Sequence, residues 1–305
     1  MHDDRSRSGL GTKILLLLAG ASVLVVGLLF ASSASAAPRL AFSKDSDIYT
    51  IVPDGSGLRH LTSGTRIDWG PAWSHGRGQI AFLRRPKADG LNGTRLWLMR
   101  SDGTNERRVV YTGPSLTTGT SVLAYSTNGR LLAGGCKLAG QSRWAVTVLN
   151  LKTKKSRIVA RYTSASDIQS LTWSPGSTRL IAVIDTGGAG AVLRIDVPHN
   201  RRLKTSGFRL VDSASWRPDG KYILCSVWAA SAPGSPFRTI LFKPDGTRVK
   251  KLGDQQRGVV YSPDGSQYAF VDYAGAEAVL KRADADGSNI ATILEDKDVG
   301  YAAWK

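Results

Sequence analysis

The chain has 305 residues, of which 42% are hydrophobic and 21% charged, with 33 glycines and a formal charge of +17. That balance excludes a disordered or collagen-like chain. Two cysteines, Cys136 and Cys225, are too few for a disulfide scaffold.

In chain order, Arg5, Arg7 and Lys13 precede an apolar run of 17 residues, Ile14–Phe30, and small residues follow to Ala37. Ala34-Ser35-Ala36 fits the small-x-small pattern of a secretory cleavage site, so residues 1–37 read as a signal peptide cut after Ala36 or Ala37. The run also reaches the short limit of a membrane span, which leaves an uncleaved N-terminal anchor open. No cysteine lies near position 37, so a lipid attachment there is excluded. Either reading places residues 38–305 outside the cytoplasm, whether secreted, periplasmic or at the cell surface. Residues 1–37 hold three basic and two acidic residues, so 38 Lys+Arg against 22 Asp+Glu, or +16, belong to the body. Such an excess favours anionic partners: a membrane surface, a wall polymer, nucleic acid or an acidic protein.

The body repeats itself. An aromatic residue followed by a turn signal recurs at Trp73, Tyr125, Trp173, Trp216 and Tyr261, and Trp304 is a sixth aromatic. The spacings of 52, 48, 43, 45 and 43 residues match one four-stranded propeller blade. In Tyr261-Ser262-Pro263-Asp264-Gly265 the proline presets φ, the aspartate caps the turn and the glycine supplies a positive φ. Four strands per repeat follow, here lettered A to D. Strand A ends on the aromatic. Strand B is apolar, as in Ile80-Ala81-Phe82 and Tyr268-Ala269-Phe270. Strand C resembles Arg95-Leu96-Trp97-Leu98-Met99, and strand D, after an Asp-Gly turn, is basic and β-branched, as in Leu58-Arg59-His60-Leu61-Thr62. The body starts on a strand B, Arg39-Leu40-Ala41-Phe42, and its final residues, 301–304, form a strand A. Five complete blades and this composite predict an all-β, six-bladed propeller over residues 38–305, its ring closed by pairing the first and last strands. Closure leaves no exposed inner sheet edge.

These motifs resemble the TolB-like, WD40-like β-propeller repeat, with the best matches at Tyr261–Phe270 and Arg59–Thr62. Trp73–Phe82 lacks the Pro-Asp pair, and the repeat beginning at Tyr125 has drifted. The resemblance extends to the propeller alone, without the α/β domain that precedes it in TolB. It implies the fold and a scaffold for binding, and it does not by itself fix an activity.

Catalytic motifs are not found. There is no G-x-S-x-G elbow and no P-loop pattern. His60, His75 and His199 fall in different blades, in turns or on an outer strand, where they cannot converge on a metal or a nucleophile. Asp284-Ala285-Asp286-Gly287 could suggest calcium, but it coincides with a C–D turn and lacks the distant bidentate carboxylate. No cofactor or metal is expected. Cys136 and Cys225 follow strand B of blades two steps apart, beyond disulfide reach, so both are expected as free, buried thiols.

Charge falls in two places. Arg107, Arg108, Lys152, Lys154, Lys155, Arg157, Arg201, Arg202, Lys204, Arg248, Lys250 and Lys251 lie in C–D turns or D strands, predicting a basic outer rim. These charges also discourage edge pairing. Asp68, Asp167, Asp212 and Asp298, with Arg66 and Arg257, open strand A in several blades and are expected near the channel mouth. Alternatively, each aspartate fixes its own D–A loop by accepting backbone N–H groups. The expectation is a monomeric, non-enzymatic module of the cell envelope. It would take another protein or a peptide at the channel mouth, while the rim rests on an anionic membrane or wall polymer. A metal-dependent hydrolase or lyase at the mouth is the alternative. Nothing on the rim offers base-stacking aromatics to nucleic acid.

Overall fold

The computed structural model describes residues 38–305 except 77, 88–92, 118–121, 139–143, 163–166, 186–189, 204–207, 209, 230–235, 274–276 and 301. The expected signal or anchor at 1–37 and the expected rim residue Lys204 lie outside the described residues.

The described chain forms 24 strands in six four-stranded antiparallel sheets. Blade 1 contains β1 (Leu40–Lys44), β2 (Asp47–Ile51) and β3 (Arg59–His60). Blade 2 contains β4 (Arg66–Ser74), β5 (Gln79–Pro86), β6 (Arg95–Arg100) and β7 (Arg107–Arg108). Blade 3 contains β8 (Ala124–Tyr125), β9 (Leu131–Lys137), β10 (Trp144–Asn150) and β11 (Lys155–Tyr162). Blade 4 contains β12 (Asp167–Trp173), β13 (Arg179–Asp185), β14 (Ala191–Asp196) and β15 (Arg201–Leu203). Blade 5 contains β16 (Val211–Trp216), β17 (Ile223–Trp228), β18 (Phe237–Phe242) and β19 (Arg248–Asp254). Blade 6 contains β20 (Gln256–Tyr261), β21 (Gln267–Asp272), β22 (Val279–Asp284) and β23 (Ala291–Glu295), and β24 (Ala303–Trp304) returns to complete blade 1.

Closure follows the sequence expectation. β24 pairs antiparallel with β1, Leu40 opposite Trp304 and Ala41 opposite Ala303. The Lys305 N–H donates to the Arg39 carbonyl at 2.8 Å, and the Gly300 N–H to the Ser43 carbonyl at 2.9 Å.

The six described hydrophobic clusters each straddle two neighbouring blades. Strand B shows why. On β5, Ile80 and Phe82 pack toward blade 1, while Ala81 and Leu83 pack toward blade 3. On β21, Tyr268 and Phe270 face blade 5, while Ala269 and Val271 face blade 1. A sheet buried on both faces needs an unbroken apolar strand, and these B strands read that way. The aromatic anchors Trp73, Tyr125, Trp173, Trp216, Tyr261 and Trp304 are all buried between blades. Burying such a side chain contributes about 1.5–3 kcal/mol. Cys136 on β9 and Cys225 on β17 are free and buried, and burial pushes both thiols up.

The turns are built as their residues require. In the A–B turn after Tyr261, the Ser262 hydroxyl donates to Asp264 at 2.6 Å, and the Ser266 N–H donates to Asp264 at 3.0 Å. In the C–D turns, Asp54, Asp102, Asp245 and Asp286 each accept the N–H two residues on, at 2.8–2.9 Å. The stretch Asp284–Gly287 is therefore a turn. Asp284 is held by Gln267 and Asn289, and Asp286 by Ser288. Gly287 has φ +95, and a Cβ there would lie 2.6 Å from the Leu252 carbonyl of blade 5. The glycine is thus required both by the turn and by the approach of the neighbouring blade.

These turns can be tested by mutation and by acid. Gly287→Ala combines a strained φ with a backbone clash, so chemical denaturation should show a loss of about 1–3 kcal/mol. Gly76→Ala, with a positive φ but open space around it, should cost less. In acid, the aspartates of the turns are the sensitive groups. Hydrogen bonds from the hydroxyl and N–H of Ser56, Thr104 and Ser288 hold Asp54, Asp102 and Asp286 below the usual carboxylate value of 3.8, and the Thr247 N–H leads at Asp245. Below 3.8 the unfolded chain binds more protons than the folded one. Their contribution is complete above that value and is lost as pH falls through the lower folded-state values. Denaturant midpoints should therefore drop between about pH 5 and pH 2. A midpoint that is flat or rising over that interval would contradict this assignment.

Candidate functional site at the propeller channel

The innermost strands β4, β8, β12, β16, β20 and β24 surround a central cavity of about 490 Å³. Its wall is largely small and apolar, with Ala72, Ala124, Ala214, Val260 and Ala302 among the lining residues. One end is formed by the starts of strand A, where Asp167, Asp212 and Arg257 line the cavity. Toward the other end lie the A–B turns, with His75, Pro175, Pro218 and Pro263.

Strand A cannot pair with its neighbour across the axis as a sheet, so its inward N–H groups need other acceptors. In blades 5 and 6 these are hydroxyls of the preceding blade. Ser170 accepts from Ala214 N–H at 3.2 Å and Thr172 from Trp216 N–H at 2.9 Å. Ser213 accepts from Val259 N–H at 3.2 Å and Ser215 from Tyr261 N–H at 2.9 Å. The indole N–H of Trp173 reaches the Ala124 carbonyl at 3.0 Å. The channel wall is thus stitched by side chains. The pattern Ser-x-Thr-Trp in blade 4 and Ser-x-Ser-Trp in blade 5 carries this information. Aligning the strand A segments would have exposed it.

A β-bulge aims one of the charged residues, Asp212. The registers of β4, β12, β16 and β20 against their B strands each shift once before the aromatic anchor. A bulge leaves a residue outside the ladder and turns its side chain. Asp212 is that residue in β16, lying between paired Val211 and Ser213. Its carboxylate accepts from the Arg257 guanidinium of blade 6 at 2.7 Å and is almost fully buried, while Arg257 retains 28% exposure. The guanidinium also faces the rings of Phe237 at 4.5 Å, Tyr273 at 5.4 Å and Trp228 at 5.9 Å. Asp167 accepts the Ile168 N–H at 2.7 Å.

The other predicted mouth residues sit elsewhere. Asp68 is not among the cavity-lining residues. It precedes the bulge of β4, faces Arg84 across the β4–β5 ladder, and binds its guanidinium through two contacts of 2.6 Å. Arg84 also reaches Glu106 at 2.5 Å and lies over Trp97 at 4.7 Å. The hydrogen bonds to both carboxylates outweigh burial and raise the Arg84 pKa further. Arg66 is exposed, over the Trp97 ring at 5.9 Å. Asp298 is exposed in the D–A loop, where its N–H donates to Asp296 at 3.1 Å. The structure therefore brings together Asp167, Asp212 and Arg257 at the channel and leaves Asp68, Asp298 and Arg66 out of its lining.

The described residues of the predicted rim are all exposed. Arg107 and Arg108 lie on β7, Lys155 and Arg157 on β11, Arg201 and Arg202 on β15, and Arg248, Lys250 and Lys251 on β19. Lys152 and Lys154 occupy the turn before β11. The histidines are scattered. His60 on β3 contacts Asp47 at 2.8 Å and stacks on Tyr49, whereas His199 lies in a turn beside Asp196. Among the described residues, no group of three or more His, Cys, Asp or Glu is arranged to hold a metal.

The described chain is thus a six-bladed propeller around an axial channel, an architecture that does not by itself fix an activity. No protein-family model matches the chain. Over 157 residues, half of this chain, it is 28% identical to the Tol-Pal system protein TolB of Anaeromyxobacter dehalogenans strain 2CP-C. It is 27% identical over the same length to TolB of strain 2CP-1. The aligned segment spans 35% of the length of these relatives. Among solved structures, TolB from Acinetobacter baumannii superposes with a TM-score of 0.70 at 16% identity, covering 87% of this chain and 66% of that one. A chain of the nidogen/laminin complex gives 0.63 at 11% identity, with 88% and 98% covered. A putative TolB from Agrobacterium tumefaciens gives 0.61 at 17%, with the same coverage. The chain is a TolB-like propeller.

The Asp68–Arg84 pair generates a prediction. Asp68→Ala strands a buried guanidinium, so it should cost about 3–5 kcal/mol in denaturant titration. Exposed Arg66→Ala should change stability by under about 0.5 kcal/mol. Equal effects would show that the buried pair is not held as described.

Proposed function

We propose that the protein is an exported binding module of the cell envelope that takes a protein or extended peptide at the strand A end of its channel. The observation that carries this reading is the convergence of Asp167, Asp212 and Arg257 from three blades on one end of an apolar cavity. Apolar walls with a few fixed polar groups are the usual composition of a recognition site. Similarity to TolB, a protein of the Tol-Pal system, supports a protein partner and an extracytoplasmic setting. Residues 1–37 serve as the export signal or anchor in this reading. The exposed cations of the D strands hold the body near an anionic membrane or wall polymer, more weakly as salt rises.

The test is affinity capture from an envelope extract with the full chain. Beside it run Asp167→Asn and a rim variant in which Lys152, Lys154, Lys155 and Arg157 are all changed to Gln. A protein retained by the parent and the rim variant but lost with Asp167→Asn supports recognition at the channel. Retention that ignores Asp167 and disappears with the rim overturns it.

A further inference from the structure

A second concavity shares no lining residue with the channel and lies on the face formed by the A–B and C–D turns between blades 4 and 5. It has a volume of about 530 Å³ and is lined by Arg179, Arg194, Lys221, Tyr222, Lys243, Pro244 and Asp245. Four cations against one carboxylate leave three positive charges in one groove (4 − 1 = 3). They come from separate elements. Arg179 starts β13, Arg194 lies in β14, Lys221 follows the A–B turn of blade 5, and Lys243 precedes its C–D turn.

The strand register explains the convergence. Arg179 sits opposite Asp196, and Arg194 opposite Ile181, whose side chain packs on blade 5. In an antiparallel pair, opposite residues share a face, and so do residues two apart. Arg179 and Arg194 thus project from the same side of blade 4, toward blade 5. The nearby carboxylate Asp196 is engaged by His199 and Arg201 and does not line the groove. Asp245 accepts the Thr247 N–H in its own turn. Burial, and after it the charge of Arg179, lower the Arg194 pKa, while Asp245 attracts Arg194, so the groove's one carboxylate already faces one of its four cations. Charges that merely keep a surface soluble are dispersed, and concentration in a concavity focuses the field on an anion.

We propose that this groove is a binding site for phosphate groups, in which the two guanidiniums provide paired donors and the two ammonium groups provide point charges. Guanidinium forks match the oxygens of phosphate, and lysine ammonium groups add charge without geometric demand. The concave shape suits a discrete phosphate group or polymer repeat. This site is independent of the channel reading, since none of its residues lines the channel.

The test titrates the full chain with linear tripolyphosphate at fixed salt, using sulfate as the control for charge alone. Lys221→Gln with Lys243→Gln changes two exposed side chains, and Arg179→Gln with Arg194→Gln changes the guanidiniums. A control, Lys87→Gln with Lys137→Gln, removes the same charge from two exposed positions outside both the groove and the rim. Either groove variant should weaken tripolyphosphate by about tenfold, against under about twofold for the control. The lysine variant keeps the test valid if the arginine variant fails to fold. A parallel arm measures sedimentation with phosphatidylglycerol–phosphatidylcholine vesicles. Groove-dependent vesicle binding identifies a lipid headgroup as the source, and groove-dependent binding of the soluble phosphate alone identifies a soluble or polymeric one. Equal weakening by the groove and control variants, or no preference over sulfate, overturns the site. Protein capture that ignores Asp167, with tripolyphosphate binding intact, would leave this site standing and remove only the channel reading.

Discussion

Face-to-face packing of neighbouring blades is the constraint on which the molecule depends. No blade has a core of its own, because each described cluster draws its residues from two blades. A strand B such as Leu180–Ile184 sends alternate side chains to blades 3 and 5, and a one-residue slip would exchange the two faces. Such an arrangement is stable only if it closes, since an open end would leave one apolar face in water. The pairing of β24 with β1 is two residues long, yet it inserts Trp304 into the cluster shared by blades 6 and 1. The short strand thus secures an interface much larger than itself.

The axial channel is a consequence of the same geometry. Six inner edges converge, so their backbones cannot form ladders with one another. Where hydroxyls of one blade accept the N–H groups of the next, the wall is satisfied without sheet pairing. The ends of these strands then bring distant parts of the chain together. Asp212 and Arg257 are 45 residues apart and meet at 2.7 Å. A site built in this way draws single residues from several blades, and its composition is independent of the repeat that forms the fold.

This separation explains what can be read in the sequence. The aromatic anchors, the Asp-Gly turns and the composite first blade rest on local chemistry and a regular period, so they are legible in the residues alone. The free thiols are legible for the same reason, since Cys136 and Cys225 occupy B strands two blades apart. Side-chain direction at the start of strand A is not, because it depends on the register of each strand A and on its cross-strand partner. In β16 the bulge falls on Asp212, whereas in β4 it falls after Asp68, which stays in the ladder opposite Arg84. Asp298 shares the sequence position but not the strand, since β24 begins at Ala303. Aspartates that open strand A in the sequence can therefore have unrelated surroundings.

The basic charge divides along similar lines. A D strand is the free outer edge of its sheet, and lysine or arginine there opposes pairing with another chain whatever else it does. Position on β7, β11, β15 or β19 is thus compatible with a purely protective role, for which dispersed charge suffices. Convergence is different. Arg179 and Arg194 belong to the B and C strands of blade 4, and Lys221 and Lys243 flank strands of blade 5, so none protects an outer edge. Four cations and one carboxylate line a single groove there, with Arg179 repelling Arg194 and Asp245 attracting it. Protection of edges cannot account for charges gathered away from any edge. Three net positive charges in one concavity suit the phosphate-bearing anion proposed for the groove.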